Sequence, residues 1–194
     1  MVPRNDPQVI FYLGPAGDAK TRQALRTVAA NPRSLVVTLN EDPYSFRLSY
    51  ADAFECSCRE QVTPLHGVQH VRIAGCSNWQ REVFSERNFD RIFFKDLPDL
   101  FRQEEDALEL TLSLSRLAVL KSADIVVTLD FSNTDEIIAW EGALPFQWGG
   151  QDNAIGFWLN VHGAPLRYLR MSALRVLKPK PTHNTHSHTA INPA

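Results

Sequence analysis

The first forty residues limit the fold more than any other part of the chain. Val9 to Leu13, VIFYL, is an apolar, β-branched and aromatic run closed by Gly14 and Pro15, the pattern of a buried strand that ends in a turn. Asp18 can cap a helix from about Lys20 to Ala30, with Leu25, Val28 and Ala29 on one face and Asn31-Pro32 as the stop. Ser34 to Leu39, SLVVTL, reads as a second strand. Strand, helix and strand in so short a span form a βαβ unit, and its crossover makes the strands parallel and lays helices on the sheet. The expected architecture is α/β: one domain over residues 1–178, with a parallel, Rossmann-like or flavodoxin-like sheet of about five strands flanked by helices.

Length and charge remove several function classes. The chain has 194 residues, enough for one well-buried core. Its 20 Lys and Arg nearly balance 22 Asp and Glu, for a formal charge of -2, so bulk electrostatics favour neither nucleic acid nor a membrane surface. No apolar run reaches the roughly 18 residues of a membrane span, and MVPRNDPQ lacks the charged and apolar regions of a signal peptide, so a cytoplasmic location is expected. Cys56, Cys58 and Cys76 are an odd set that reads as reduced thiols. With His66 and His70 they match no standard zinc spacing, and no metal site is expected.

The middle of the chain, Glu41 to about Asp90, has no sustained period, and only His70 to Ala74 looks like a strand. His66, His70 and Arg72 there carry no motif, so surface or packing roles are expected of them. Phe89 to Phe94 fits a strand or the start of a helix. A long helix is expected from Leu97 to Leu120, with QEEDALE as a solvated face. Ile125 to Leu129 is continuously apolar, as a central parallel strand should be. Ser132, Asn133 or Thr134 can cap the helix after it, and Pro145 ends or kinks that helix. Ala154 to Leu159 reads as a last strand, and Leu166, Leu169, Leu174 and Leu177 suggest an amphipathic helix from Pro165 to Leu177. Residues 179–194, rich in Pro, Thr and His, read as a disordered tail.

Chemistry is expected just beyond Ile125 to Leu129, because ligands of open α/β sheets bind outside the strand carboxyl ends. Asp135 and Glu141 lie six positions apart there. Two carboxylates in that place can share the cleavage of a glycosidic C–N bond, one attacking the anomeric carbon and the other handling the leaving base. A helix N-terminal acid and an ordinary exposed Glu would have the same spacing.

The residues Ala123-Asp124-Ile125-Val126-Val127, an acidic turn, and then Asp135, Glu141, Gly142 and Ala143 resemble a pattern in the nucleoside 2-deoxyribosyltransferases and related N-glycoside hydrolases. The opening VIFYLGPAG is similar to that family's first strand. The resemblance covers roughly half of the chain, and each of its motifs is short. It implies Glu141 as nucleophile on C1′, Asp135 on the nucleobase, and Tyr12 orienting Glu141 by a hydrogen bond. Gly14, Asp130, Trp140 and Arg116 complete the expected substrate-binding set, with Trp140 either stacking on a base or packing its helix. The chain departs from the family at Arg116, where an Asp is usual, and a cation with five donors cannot replace an acceptor. The resemblance further implies a nucleoside and a free nucleobase as partners, no cofactor, and a homo-oligomer. Exchange of the base with retention is the expected reaction, with hydrolysis of nucleosides, nucleotides or NAD by the same Glu, or a catalytically silent nucleotide-binding module, as the alternatives.

Overall fold

The alternation of buried side chains along β1 (Gln8–Gly14) determines what each face of the sheet meets. In the computed structural model, which describes residues 6–31, 33–39, 41–50, 69–73, 89–95, 106–146, 148 and 154–178, Val9, Phe11 and Leu13 enter one core layer. Ile10 and Tyr12 enter the other. The first layer is closed by Leu110, Leu114 and Leu117 of α3 (Ala107–Lys121) and Ile137 of α4 (Thr134–Gly142). The second is closed by Ala24, Leu25 and Val28 of α1 (Asp18–Ala29) and by Phe46 and Tyr50 at α2 (Pro43–Ser49). Helices therefore cover both faces, the arrangement that a βαβ start predicts.

The remaining strands are β2 (Ser34–Leu39), β3 (Gln69–Ile73), β4 (Arg91–Phe94), β5 (Asp124–Asp130), β6 (Ile155–Val161) and β7 (Ala164–Ser172). Their spatial order is β3-β2-β4-β5-β1-β7-β6 in one seven-stranded sheet. The first five run parallel, and β7 pairs antiparallel with both β1 and β6. The α/β class and the five parallel strands match the sequence-based expectation, and Phe89 to Phe94 resolves into a strand.

Three expectations need correction. The helix expected over Pro165 to Leu177 is mostly β7, followed only by the short α5 (Ala173–Leu177). Strand β7 lies between β1 and β6 and buries Leu166, Leu169, Met171 and Ser172, so it lacks the alternation of a half-exposed strand; its leucines happen to fall at helical spacing. A type I′ turn, His162 (φ 51) and Gly163 (φ 82), folds β6 back onto β7. The second correction concerns α1, which begins at Asp18 itself after Gly17 and has no side-chain cap.

The third correction is the start of the long helix, which begins at Ala107 and not at Leu97: Asp106 is extended (ψ 124) and caps it by accepting from Leu108 N at 2.8 Å, and the helix closes on Ser122 in the left-handed conformation. No helix among the described residues is long and apolar enough to cross a membrane. Cys56, Cys58, His66, Cys76, residues 97–105 and the tail 179–194 lie outside the described residues, as do the side chains of His70 and Arg72.

Candidate functional site at the carboxyl edge of the sheet

Adjacent strands send their helices to opposite faces at two points of this sheet. From β1 the chain enters α1 on the Tyr12 face, and from its neighbour β5 it enters α4 on the Phe11 face. Likewise β2 leads to α2 on one face and β4 to α3 on the other. Such divergences are the points beyond the strand carboxyl ends where α/β proteins place ligands.

An ion pair stands at each of these two points. At β1/β5, Lys20 is almost fully buried (3% exposed) and its ammonium meets Asp130 Oδ1 at 2.5 Å, while Asp130 is 63% exposed. The same ammonium donates to Pro15 O at 2.6 Å and Gly17 O at 3.4 Å, which ties the turn after β1 to the end of β5. At β2/β4, Lys95 Nζ donates to Glu41 Oε2 at 2.6 Å and lies 5.4 and 5.7 Å from the ring centres of Phe46 and Tyr50. The Tyr50 hydroxyl donates to Asp18 Oδ1 at 2.8 Å. Burial, reinforced by that hydrogen bond and by the Asp18 and Glu41 charges, pushes its phenol well above the ordinary range.

Glu141 sits on the Phe11 face of the sheet, against β7. Helix α4 starts from a well-made cap: Asn133 Oδ1 accepts from Glu136 N at 2.9 Å, and Glu136 Oε2 accepts from Ser132 N at 2.9 Å. Ile137 is buried, and one turn later Glu141 lies on the same side of the helix. Its two oxygens accept from Arg167 Nε at 2.7 Å and Nη2 at 2.5 Å, a two-point carboxylate–guanidinium pair in which both side chains are only 12% exposed. Arg167 stands opposite Leu13 on β1 and Trp158 on β6, and its Cζ lies 5.4 Å from the centre of the Trp158 ring. Gly156 makes room for it, because a Cβ there would come within 2.8 Å of Arg167 Nη2.

The other expected site residues do not join Glu141. Tyr12 points to the opposite face, since strand alternation separates it from Phe11 and Leu13. Its hydroxyl lies 2.6 Å from Thr27 Oγ1, and as Thr27 gives its proton to Gln23 O, Tyr12 is the donor. The expected Tyr12–Glu141 hydrogen bond is thus replaced by the Arg167 pair. Asp135 is exposed in the first turn of α4, about 120° around the axis from Glu141. Trp140 packs edge-on against Phe11 at 5.2 Å and Phe131 at 6.1 Å, which is a core role. Arg116 is exposed on α3. Gly14 ends β1 beside Asp130, and a Cβ on it would meet Leu166 Cδ2 at 2.5 Å, so its lack of a side chain serves packing.

Comparison with known proteins adds little to this geometry. No family model and no curated protein matches the chain. Among solved structures, a chain of O-acetylhomoserine sulfhydrylase from Wolinella succinogenes aligns at 15% identity with a TM-score of 0.33. The alignment covers 84% of this chain and 41% of that one, and at this TM-score it assigns neither fold nor function.

Sequence reasoning missed Arg167, Trp158, Gly156 and Lys20. Arg167 was hidden in a stretch that reads as a helix with outward arginines. Lys20 had a signal, being a lone Lys in the first turn of a helix that follows a glycine-bounded turn. Among the described residues no group of His, Cys, Asp and Glu is placed to hold a metal ion.

Proposed function

We propose that the chain acts on the N-glycosidic bond of nucleosides, with Glu141 as nucleophile and Arg167 as the group that orients it. The supporting observation is the Glu141–Arg167 pair: a shielded carboxylate beside the strand carboxyl ends, held and aimed by a two-point cation. In this reading Glu141 attacks C1′, the C–N bond breaks with its electron pair going to the base, and the sugar remains as an ester of Glu141. A second base then takes the sugar with retention, or water takes it in hydrolysis. Arg167 releases one of its two hydrogen bonds as the ester forms, and the departing base takes its proton from water, since Asp135 is exposed about 120° around the helix from Glu141. No cofactor enters this chemistry.

One observation favours a second reading, a nucleotide-binding module without turnover. Both oxygens of Glu141 are engaged, and a carboxylate that is fully neutralised is a weak nucleophile. A 2′-fluoro deoxynucleoside that traps the glycosyl ester separates the two. A mass adduct on Glu141, lost in Glu141→Gln, supports N-glycoside chemistry, and transfer to an added base assigns exchange. Saturable nucleotide binding with neither adduct nor turnover establishes the module.

A further inference from the structure

Strand β6 ends the sheet as IGFWLNV, seven residues without a charge, a proline or a bulge. Among the described residues it pairs only with β7. Proteins that keep such an edge free ordinarily guard it with Lys, Pro, a bulge or a very short strand. This edge has none of these, and it carries apolar surface on both faces: Ile155 (38% exposed) and Phe157 (43%) on one, Trp158 (41%) on the other.

The turn geometry identifies which backbone groups face away from β7. Because the type I′ turn closes β6 on β7 at Val161 and Ala164, the residues Val161, Leu159, Phe157 and Ile155 direct their N–H and C=O groups toward β7. Asn160, Trp158 and Gly156 direct theirs outward. These three are spaced symmetrically about Trp158, so the free edge is its own complement when a second copy runs antiparallel to it.

We propose that two copies of this chain pair through β6 about a two-fold axis at Trp158, joining two seven-stranded sheets into one. In that register Trp158 exchanges both backbone hydrogen bonds with its counterpart, and Gly156 does so with Asn160 of the second copy. Phe157 then faces Leu159 and Ile155 faces Val161 across the axis, all on one face, while the two Trp158 rings share the other. Apart from Gly156 with Asn160 the cross-strand pairs are apolar, and no like charges oppose each other. The interface is continuous with the Glu141–Arg167 pair, because Trp158 already lies against Arg167 on its inner side. The second copy closes the outer side of that ring. This inference rests on β6 and its turn, independently of any reading of the chemistry.

The test uses the full-length protein in sedimentation equilibrium together with amide hydrogen exchange at several concentrations. The expected species has twice the 21.9 kDa chain mass, with amides of Gly156, Trp158 and Asn160 that exchange slowly when dimeric and quickly on dilution. Trp158→Lys and, separately, Phe157→Lys should give monomers with an unchanged circular-dichroism spectrum. A wild-type monomer whose three amides exchange quickly overturns the proposal. So does a monomer whose amides stay protected at every dilution, since another segment of the same chain then covers the edge. A dimer that survives both substitutions, or one in which these amides remain fast, overturns it as well.

Discussion

Arg167 grips Glu141 through two hydrogen bonds, 2.7 and 2.5 Å long, that join β7 to α4 across 26 residues of sequence. Both side chains are nearly buried, so the pair is worth less as net stability than as a constraint: removing one partner strands the other. Arg167→Met should lower unfolding free energy by about 3 kcal/mol. Glu141→Gln/Arg167→Met should cost less than the sum of its single changes, with a coupling of about 0.5–3 kcal/mol. Urea denaturation of the four proteins measures this, and strict additivity would show that the pair does not exist in solution.

Gly156 shapes the same place from the side of β6. A methyl group there would lie 2.8 Å from Arg167 Nη2, 3.0 Å from Leu169 Cδ2 and 3.2 Å from Trp148 Cε3. Gly156→Ala is expected to cost about 1–3 kcal/mol through overpacking and to push Arg167 off Glu141. If N-glycoside turnover is observed, this variant should lower kcat more than it raises KM, because the guanidinium orients the nucleophile without touching substrate.

Lys20 and Asp130 form an asymmetric pair, one buried and the other largely in water. Asp130→Ala leaves the ammonium buried with only Pro15 O and Gly17 O, at a cost of about 1–3 kcal/mol. Lys20→Met leaves a carboxylate that water can solvate, and the change should be smaller. The order of the two melting temperatures checks the assignment, and the reverse order would mean that Lys20 is not buried.

Three phenols, Tyr12, Tyr50 and Tyr168, are pushed above their ordinary value, in each case first by burial. Since the folded state holds these protons more tightly than the unfolded chain, their contribution is fully present below about pH 10 and is lost as pH rises through the higher folded values. Stability should therefore fall on the alkaline side of about pH 10. Tyr50→Phe should flatten that slope, because it removes the phenol hydrogen-bonded to Asp18. Denaturation midpoints between pH 8 and 11 measure the effect; a slope unchanged in Tyr50→Phe would reject it.

The parallel half of the sheet was legible because each of its buried strands is a short, continuous apolar run between turn residues. Val9 to Leu13, Ser34 to Leu39 and Ile125 to Leu129 all appear where that pattern puts them. The start of α4 was legible too, since Asn133 and Glu136 are a local signal. Strand β7 was not. A segment enclosed on both edges and buried on both faces loses its two-residue alternation, and its leucines then imitate a helix.

The same limit divides the site. Local sequence carries the periods, turns and caps that create an α/β sheet and deliver Glu141 on a helix beyond β5, since those signals act within a few residues. The partner of Glu141 was decided by packing: strand alternation turned Tyr12 to the far face, and the hairpin at His162-Gly163 brought Arg167, 26 residues after Glu141, beneath it. A two-residue turn with both φ angles positive made that return possible, and antiparallel pairing with β1 set Arg167 opposite Leu13. Pairing of distant segments depends on what each strand finds beside it in space, and no local pattern encodes that neighbour.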